Sequence, residues 1–496
     1  MHSLYSVAEV RLAEQSAATT LPPGTLMQRA GQAAATLAHE LAAGRNGPVL
    51  VLAGPGNNGG DALEVAANLA QAGLEVIVVH LAGGATVARE TAHALTRARA
   101  GDARFVDAIP AGEAWALAVD GLFGIGLARP LDGKARELVL ALNELDCPVL
   151  ALDIPSGLDA DTGALAAADA VAVRATHTIT FIADKPGLHT NAGRDYAGEV
   201  TVATLGIDAA LLPPASARLN DPALFTQRLA TRRHASHKGS FGDVAIVGGA
   251  AGMAGAAVLA ARGALYAGAG RVFVASLAPA LAYDSTQPEI MFRDAAGFHQ
   301  PEAVLVLGPG MGDSAGAIKQ LVKALDGSAP LVIDADALNL IAASPDLQQR
   351  LASRGHPALL TPHPLEAARL LGVTAAVVQG DRLAAAREIA ARLQAVVVLK
   401  GSGSVIAEPA GAVAINPTGN PGLATGGTGD VLAGVCGALL AQGWNAWEAA
   451  LGAAWLHGDA ADRLVAQGIG PVGLTAGELP AAVRQSLNLL IVSRRK

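Results

Sequence analysis

Short, wholly apolar runs alternate with longer stretches of helical spacing along almost all of this chain. Val49–Ala53 is the first clear run, followed by a glycine-rich turn and an alanine-rich stretch from about Ala62 to Ala72. Val76–Val79, Trp115–Val119 and Val149–Leu152 continue the series. None alternates between apolar and polar, so each is expected to be a strand buried on both faces, as in a parallel sheet. Strand alternating with helix predicts a doubly wound α/β fold. The pattern breaks near Leu211–Ser216, where two adjacent prolines intervene, and resumes at Val244–Val247. Arg271–Val274, Ala303–Leu307, Leu331–Ile333, Ala358–Leu360 and Ala395–Leu399 complete a second series. Two α/β domains are therefore expected, over 1–212 and 237–496, with a linker region at 213–236.

Composition narrows the class. A chain of 496 residues exceeds one ordinary core. With 51% hydrophobic and 16% charged residues it is not disordered, and 58 glycines beside 3% aromatics suit closely packed layers. The net charge of −8 and the lack of a basic stripe argue against nucleic-acid binding. The short basic cluster Arg232 to Lys238 is either a solvated linker or an anion contact at a cleft mouth. Cys147 and Cys436 stand far apart and outside metal-ligand spacing, so neither a disulfide framework nor a zinc site is indicated. The first residues carry Glu9, Arg11 and Glu14, and Arg262 interrupts the most apolar stretch, Ala250–Gly270. A cytoplasmic protein that acts on small molecules, without a membrane or nucleic-acid partner, is expected, as is a homo-oligomer.

Three loops follow strands of the first series, at the edge where open parallel sheets bind ligands. Ala53–Asp61 carries four glycines and leads into a helix, which lets backbone amides approach a phosphate. It has neither the lysine of a Walker loop nor the glycine spacing of the dinucleotide fingerprint. The glycines alone could make a tight turn, but the paired asparagines and final aspartate favour a site. Val119–Leu127 puts Asp120 at a strand end, and Leu152–Asp159 puts Asp153 and Ser156 after the next strand. Either aspartate alone could be a helix N-cap. Together Asn58, Asp120 and Ser156 offer one charged and two neutral hard oxygen ligands, a set for a weakly charged cation and not for a transition metal.

These loops, with Leu26–Gly31, Phe181–Gly187 and Leu205–Asp208, resemble the NAD(P)HX epimerases. The resemblance implies a Rossmann-like domain that interconverts the R and S forms of hydrated NADH and NADPH. It implies potassium at Asn58, Asp120 and Ser156. It implies substrate binding by Asn57, Asn58, Gly59, Gly60 and Asp61, and by the loop Gly124, Ile125, Gly126, Leu127, Ala128, Arg129 and Pro130. Asp153 would contact the damaged ring and is the candidate proton shuttle. Ala62 stands where that family usually has glycine, and its methyl either hinders a close approach or is harmless.

The second series holds a denser motif. Asn416–Asp430 carries repeated glycines and leads into an apolar helix, an arrangement suited to holding phosphate or developing negative charge. Asp430, in the first turn, is a candidate base for phosphoryl transfer or elimination, and otherwise a helix cap. Lys400–Ser404, Leu307–Gly312 and Thr361–Glu366 also follow strands. Gly252–Ala257 opens a helix that either packs or binds.

The stretch Lys238–Leu487 is similar to the ADP/ATP-dependent NAD(P)HX dehydratases, which have a ribokinase-like fold. The resemblance implies that Lys400, Gly401, Ser402, Gly403, Ser404 and Gly429 hold the nucleotide. Ala256, Gly310, Gly312, His363 and Asp430 would meet the hydrate. ADP, or ATP, with magnesium would drive dehydration of the S form, ADP giving AMP and phosphate. Leu365 departs from the glycine usual in that family. The competing reading is a small-molecule kinase of the ribokinase-like class with a non-catalytic N-terminal binding domain, because one fold hosts several chemistries.

Overall fold

The computed structural model describes residues 2–82, 89–127, 129–167, 169–229 and 231–494. Two compact units divide the chain, one spanning Ser3–Ala217 and the other running from Arg218 to the described C-terminal end, with His2 joined to it. Among the described residues, no helix is long and apolar enough to cross a membrane.

The chain begins with the short strand β1 (Ser3–Leu4). The sheet of the first unit holds β2 (Val49–Ala53), β3 (Val76–His80), β4 (Arg104–Val106), β5 (Leu117–Gly121), β6 (Val149–Leu152), β7 (His177–Phe181) and β8 (Glu199–Ala203). Their order is β4-β3-β2-β5-β6-β7-β8, and every pairing is parallel. Successive side chains of a strand point to opposite faces. Val49, Val51 and Ala53 pack with the helices Thr25–Ala42 and Asn57–Gln71, whereas Leu50 and Leu52 pack with Gly133–Asn143. Cover on both faces explains why these strands are apolar without alternation. The strand order reverses at β2, so the loops leaving β2 and β5 part and open a crevice.

The second unit holds β9 (Ala217–Leu219), β10 (Asp243–Gly248), β11 (Arg271–Ser276), β12 (Met291–Asp294), β13 (Val304–Leu307), β14 (Leu331–Ile333), β15 (Ala358–Leu360), β16 (Val396–Leu399), β17 (Val405–Ala407) and β18 (Val413–Ile415). They run in the order β9-β18-β17-β16-β15-β14-β13-β10-β11-β12. β17 is antiparallel to both its neighbours, and the other pairings described among these strands are parallel. The order reverses at β10, between β13 and β11.

Both domains therefore have the expected layered α/β architecture. The stretch 213–236, read as a linker, carries structure. It contains β9, and the Asn220 side-chain amide donates to Asn416 Oδ1 and to the Leu451 carbonyl at 2.9 Å each. Phe225 is fully buried, its ring 6.1 Å from Trp444 and 6.2 Å from Trp455. A three-residue strand is too short to leave a periodic signal, and the neighbouring prolines masked it.

The helices Ala254–Tyr266 and Thr428–Ala441 cross almost backbone to backbone. A Cβ on Gly434 would lie 1.9 Å from the Ala260 carbonyl oxygen, and one on Gly263 would lie 2.5 Å from that of Val431. The contact sets the tilt of the second helix, whose first turn carries Asp430. Gly434→Leu should overpack this crossing by about 3 kcal/mol. Differential scanning calorimetry should show the transition of the second unit falling by about 5–10 °C, with the first unit's transition unmoved.

Candidate active sites

The first site lies at the carboxyl ends of three adjacent strands, β2, β5 and β6. Its glycines serve backbone approach. A Cβ on Gly54 would lie 1.7 Å from the Leu122 carbonyl oxygen, and one on Gly59 would lie 1.8 Å from that of Gly54. Gly60 faces Met27, whose Cε would be 2.5 Å away. Asn57 is exposed and begins the helix. Asn58 is 8% exposed, and neither heteroatom of its carboxamide has a hydrogen-bond partner.

Asp120 is fully buried near the end of β5. Its Oδ2 accepts the Ser156 N–H at 2.8 Å, and its Oδ1 accepts the Ser156 hydroxyl at 2.7 Å and the Leu122 N–H at 3.2 Å. Burial pushes its carboxyl up to about 6, against the lowering effect of these bonds. Gly121, next in the chain, would place a Cβ 2.9 Å from the Asn58 carbonyl oxygen. A buried carboxylate held only by neutral donors, close to an unsatisfied carboxamide, has the chemistry of a site for a hard monovalent cation. Among the described residues, no group of three or more His, Cys, Asp or Glu side chains could hold a metal ion.

Asp153 follows β6 with a φ of 67°, a left-handed conformation costly for a residue with a side chain. Its Oδ1 receives the Lys185 ammonium at 2.8 Å and the Phe181 N–H at 3.3 Å. Lys185 is fully buried and also donates to Thr180 Oγ1 at 2.6 Å and to the carbonyls of Phe181 and Ala183 at 3.1 and 3.2 Å. Asp153 Oδ2 faces Gly124, where a Cβ would lie 3.2 Å from it and 3.3 Å from Asn58 Cγ. Asn58, Gly124 and Asp153 therefore meet, and one carboxylate oxygen is fixed while the other faces the loop.

In that loop Gly126, Arg129 and Pro130 are exposed, and Ala128 lies outside the described residues. Ile125 and Leu127 pack on the apolar clusters, so they anchor the loop and leave its backbone as the part open to a ligand. Asp61 is half-buried. Its carboxyl is pushed well above the usual range by burial and by Asp153, Glu14, Glu64 and Glu90. The Ala62 methyl is buried against Gly121, where a Cβ would meet it at 2.4 Å, so it fills a packing position under the strand end.

The second site gathers the ends of β10, β13, β14, β15 and β16 around the N-terminus of the helix Thr428–Ala441. Asp334, directly after β14 and 1% exposed, holds the Lys400 ammonium at 2.8 Å. A Cβ on Gly429 would lie 3.1 Å from Lys400 Nζ and 4.0 Å from Asp334 Oδ2, so Lys400 is directed at the helix's first turn. Burial opposes the Lys400 charge, but Asp334, Glu366 and Asp430 outweigh it and raise its pKa. Burial and the nearby Asp334 push Asp430 up to about 7, with Lys400 pulling the other way.

His363 caps the helix Pro364–Leu371: its Nδ1 accepts the N–H groups of Leu365 and Glu366 at 3.1 and 3.4 Å. That leaves the proton on Nε2, 3.3 Å from Glu366 Oε1. Burial and Lys400 lower the His363 pKa, which keeps the ring neutral. The Leu365 side chain points outward and leaves this cap intact. The Gly312 amide donates to Asp336 Oδ2 at 2.8 Å, and the Gly310 carbonyl accepts the Ala250 N–H at 2.7 Å, so both glycines shape the loop wall. Ala256 is half-buried in the first turn of its helix. Ser404 closes the Lys400–Ser404 loop on itself, its hydroxyl donating to the Gly401 carbonyl at 3.1 Å.

Much of Asn416–Asn420 is scaffold: the Gly419 N–H and the Asn420 amide donate to Asp462 at 2.8 and 2.9 Å. His457 Nε2 holds the Thr428 carbonyl at 2.9 Å, and burial lowers its pKa to about 4, so it acts as a neutral donor. Sequence reading missed Lys185, Asp334, Glu366 and His457 as site residues. Asp334 directly follows the recognised run Leu331–Ile333, and Lys185 lies within the Phe181–Gly187 motif, which were the signals available. His457 sits within a long helix and gave none.

Two sites, each at the carboxyl ends of parallel strands and each gathering glycine-rich loops around buried carboxylates, define a two-domain α/β enzyme. A family model for NAD(P)H-hydrate dehydratase matches residues 244–480, and one described as YjeF-related protein N-terminus matches 23–187. The bifunctional NAD(P)H-hydrate repair enzyme of Escherichia coli is 37% identical over 501 residues, covering 98% of this chain and 94% of that protein. That of Coxiella burnetii is also 37% identical, over 507 residues, covering 98% and 100%. Among solved structures, the ADP/ATP-dependent NAD(P)H-hydrate dehydratase of Bacillus subtilis is 29% identical with a TM-score of 0.48, covering 55% of this chain and 98% of that one. The chain belongs to the family of bifunctional NAD(P)H-hydrate repair enzymes.

A carboxyl whose folded pKa lies near 7, above an unfolded value of about 3.9, makes the fold less stable as pH rises between the two. Asn stays neutral throughout. Asp430→Asn should therefore melt at a higher temperature than the parent at pH 8, and the gap should close toward pH 4; thermal unfolding followed across that range tests it.

Proposed function

We propose that this chain repairs hydrated NADH and NADPH: the first unit epimerises the hydrate and the second dehydrates the S form at the expense of ADP. The observation that carries the proposal is Asp430 in the first turn of its helix, with the Asp334–Lys400 pair beside Gly429. A small-molecule kinase would need the same phosphate-holding loops, but the repair-enzyme relatives match along the whole chain, both units included.

In the dehydratase unit, Asp430 takes the proton of the substrate hydroxyl, which a carboxyl pushed up to about 7 does readily near neutrality. The terminal phosphoryl of ADP, bound as its magnesium complex, moves to that oxygen and AMP is left. Phosphate then departs as the ring nitrogen lone pair moves in, and loss of a proton from the neighbouring carbon restores the dihydronicotinamide. Lys400 and the amides at the helix N-terminus stabilise the charge on the moving phosphoryl group. Residues 400–404 and Gly429 hold the nucleotide. Ala256, Gly310, Gly312 and His363 line the substrate side.

In the epimerase unit, the carbon bearing the hydroxyl lies next to the ring nitrogen. It loses water or opens the ring and closes again on the other face, which requires a positioned proton carrier. Asp153 is that carrier: Lys185 fixes Oδ1, and Oδ2 faces Gly124. Residues 57–61 and the backbone of the 124–130 loop bind the substrate. Asn58, Asp120 and Ser156 would hold potassium, which supplies the counter-charge that buried Asp120 lacks.

Asp430→Asn should lower the dehydration rate at least ~100-fold while leaving epimerisation intact, and Asp153→Asn should do the reverse by a similar factor. NMR of the two hydrate epimers and absorbance of the reduced product read the activities separately; a near-normal rate in either variant removes that residue's role. Potassium in place of a bulky organic cation should raise the melting temperature of the first unit, and Asp120→Asn should abolish that response.

A further inference from the structure

Arg382 is the largest fully buried side chain among the described residues, and the chemistry above does not use its burial. It opens the helix Arg382–Leu393 and is 1% exposed. Nη1 donates to Gln379 Oε1 at 2.8 Å, and Nη2 to the carbonyls of Leu399 and Lys400 at 3.2 Å each. Nε is buried with no hydrogen-bond partner. Its hydrogen-bond partners among the described residues are all neutral. Burial lowers its pKa only to about 10, so it remains a cation.

A lone buried charge is costly, and an apolar side chain would fill the same space without that cost. The guanidinium also dictates the residue above it. Gly401 has a φ of 145°, and a Cβ there would lie 2.6 and 2.7 Å from the two terminal nitrogens. Arg382 therefore lies directly against the backbone of the Lys400–Ser404 loop. Its bonds to the Leu399 and Lys400 carbonyls fix the strand end from which the Lys400 side chain reaches Asp334.

We propose that Arg382 is a positioning residue for the nucleotide: it sets the Lys400–Ser404 loop from below and supplies, through one layer of backbone, a counter-charge for the phosphates bound above. The inference rests on the reading that residues 400–404 hold the nucleotide. A diphosphate on that loop provides the negative charge that the folded chain withholds from Arg382. In the low-dielectric interior such an attraction acts across a peptide plane.

The test is steady-state dehydration by the full chain with ADP varied, for Arg382→Gln, Arg382→Lys and Gly403→Asp. Arg382→Gln should raise the KM for ADP about tenfold with kcat within about threefold, as expected for one charge-assisted contact. Arg382→Lys, which keeps the charge, should hold KM within about threefold of the parent. An unchanged KM in Arg382→Gln, or equal tenfold increases in both Arg382 variants, overturns the inference. If the Gln variant does not fold, Arg382→Met, which removes the charge but fills much of the same space, takes its place on the same two limits. Gly403→Asp puts a negative charge into the loop itself. If it raises KM while Arg382→Gln does not, only the role of Arg382 fails; if it leaves KM unchanged, the loop does not hold the nucleotide.

Discussion

A carboxylate taken out of water at the end of a β-strand must find a counter-charge or take up a proton, and both units are organised around that requirement. In the first unit, Lys185 is sunk completely so that it can meet Asp153, and three neutral oxygens complete its coordination. In the second, Asp334 holds Lys400 next to the helix that presents Asp430. Removing one member of such a pair leaves the other buried and uncompensated, at a cost of about 3–5 kcal/mol. The pairs therefore hold the geometry and the chemistry together. Asp120 is the informative exception, since its donors are all neutral and burial pushes its carboxyl up to about 6.

Close backbone packing is what brings these groups within reach of one another. Gly54 and Gly59 fold the first loop onto itself, and Gly263 and Gly434 let two helices cross so closely that the N-terminus bearing Asp430 is fixed against the sheet. Many of the glycines that suggest phosphate binding in the sequence are thus needed for packing first.

The two parallel sheets were legible because full burial removes alternation, and β2, β6 and β15 lie almost where the apolar runs put them. Residues 217–219, β4, β17 and β18 were not, since three-residue strands carry too little pattern, nor were β7, β8 and β12, whose polar residues break the apolar run. The loops bearing Asn58, Asp120, Asp153 and Asp430 stood out by their glycines. Their partners drew no attention of their own, and only the fold shows that Lys185, Asp334 and Arg382 are each buried against a site. Ala62 marks the opposite case, a visible departure in sequence whose methyl proves to be packed under β5.

The most direct test of two activities in one chain is recovery of the reduced-nicotinamide absorbance from a mixture of both hydrate epimers, with ADP and with no nucleotide. The account predicts full recovery with ADP, beyond the fraction initially present as the S form, and none without a nucleotide. Recovery that stops at that fraction would contradict an active first unit, and no recovery with ADP or with ATP would contradict the repair function altogether.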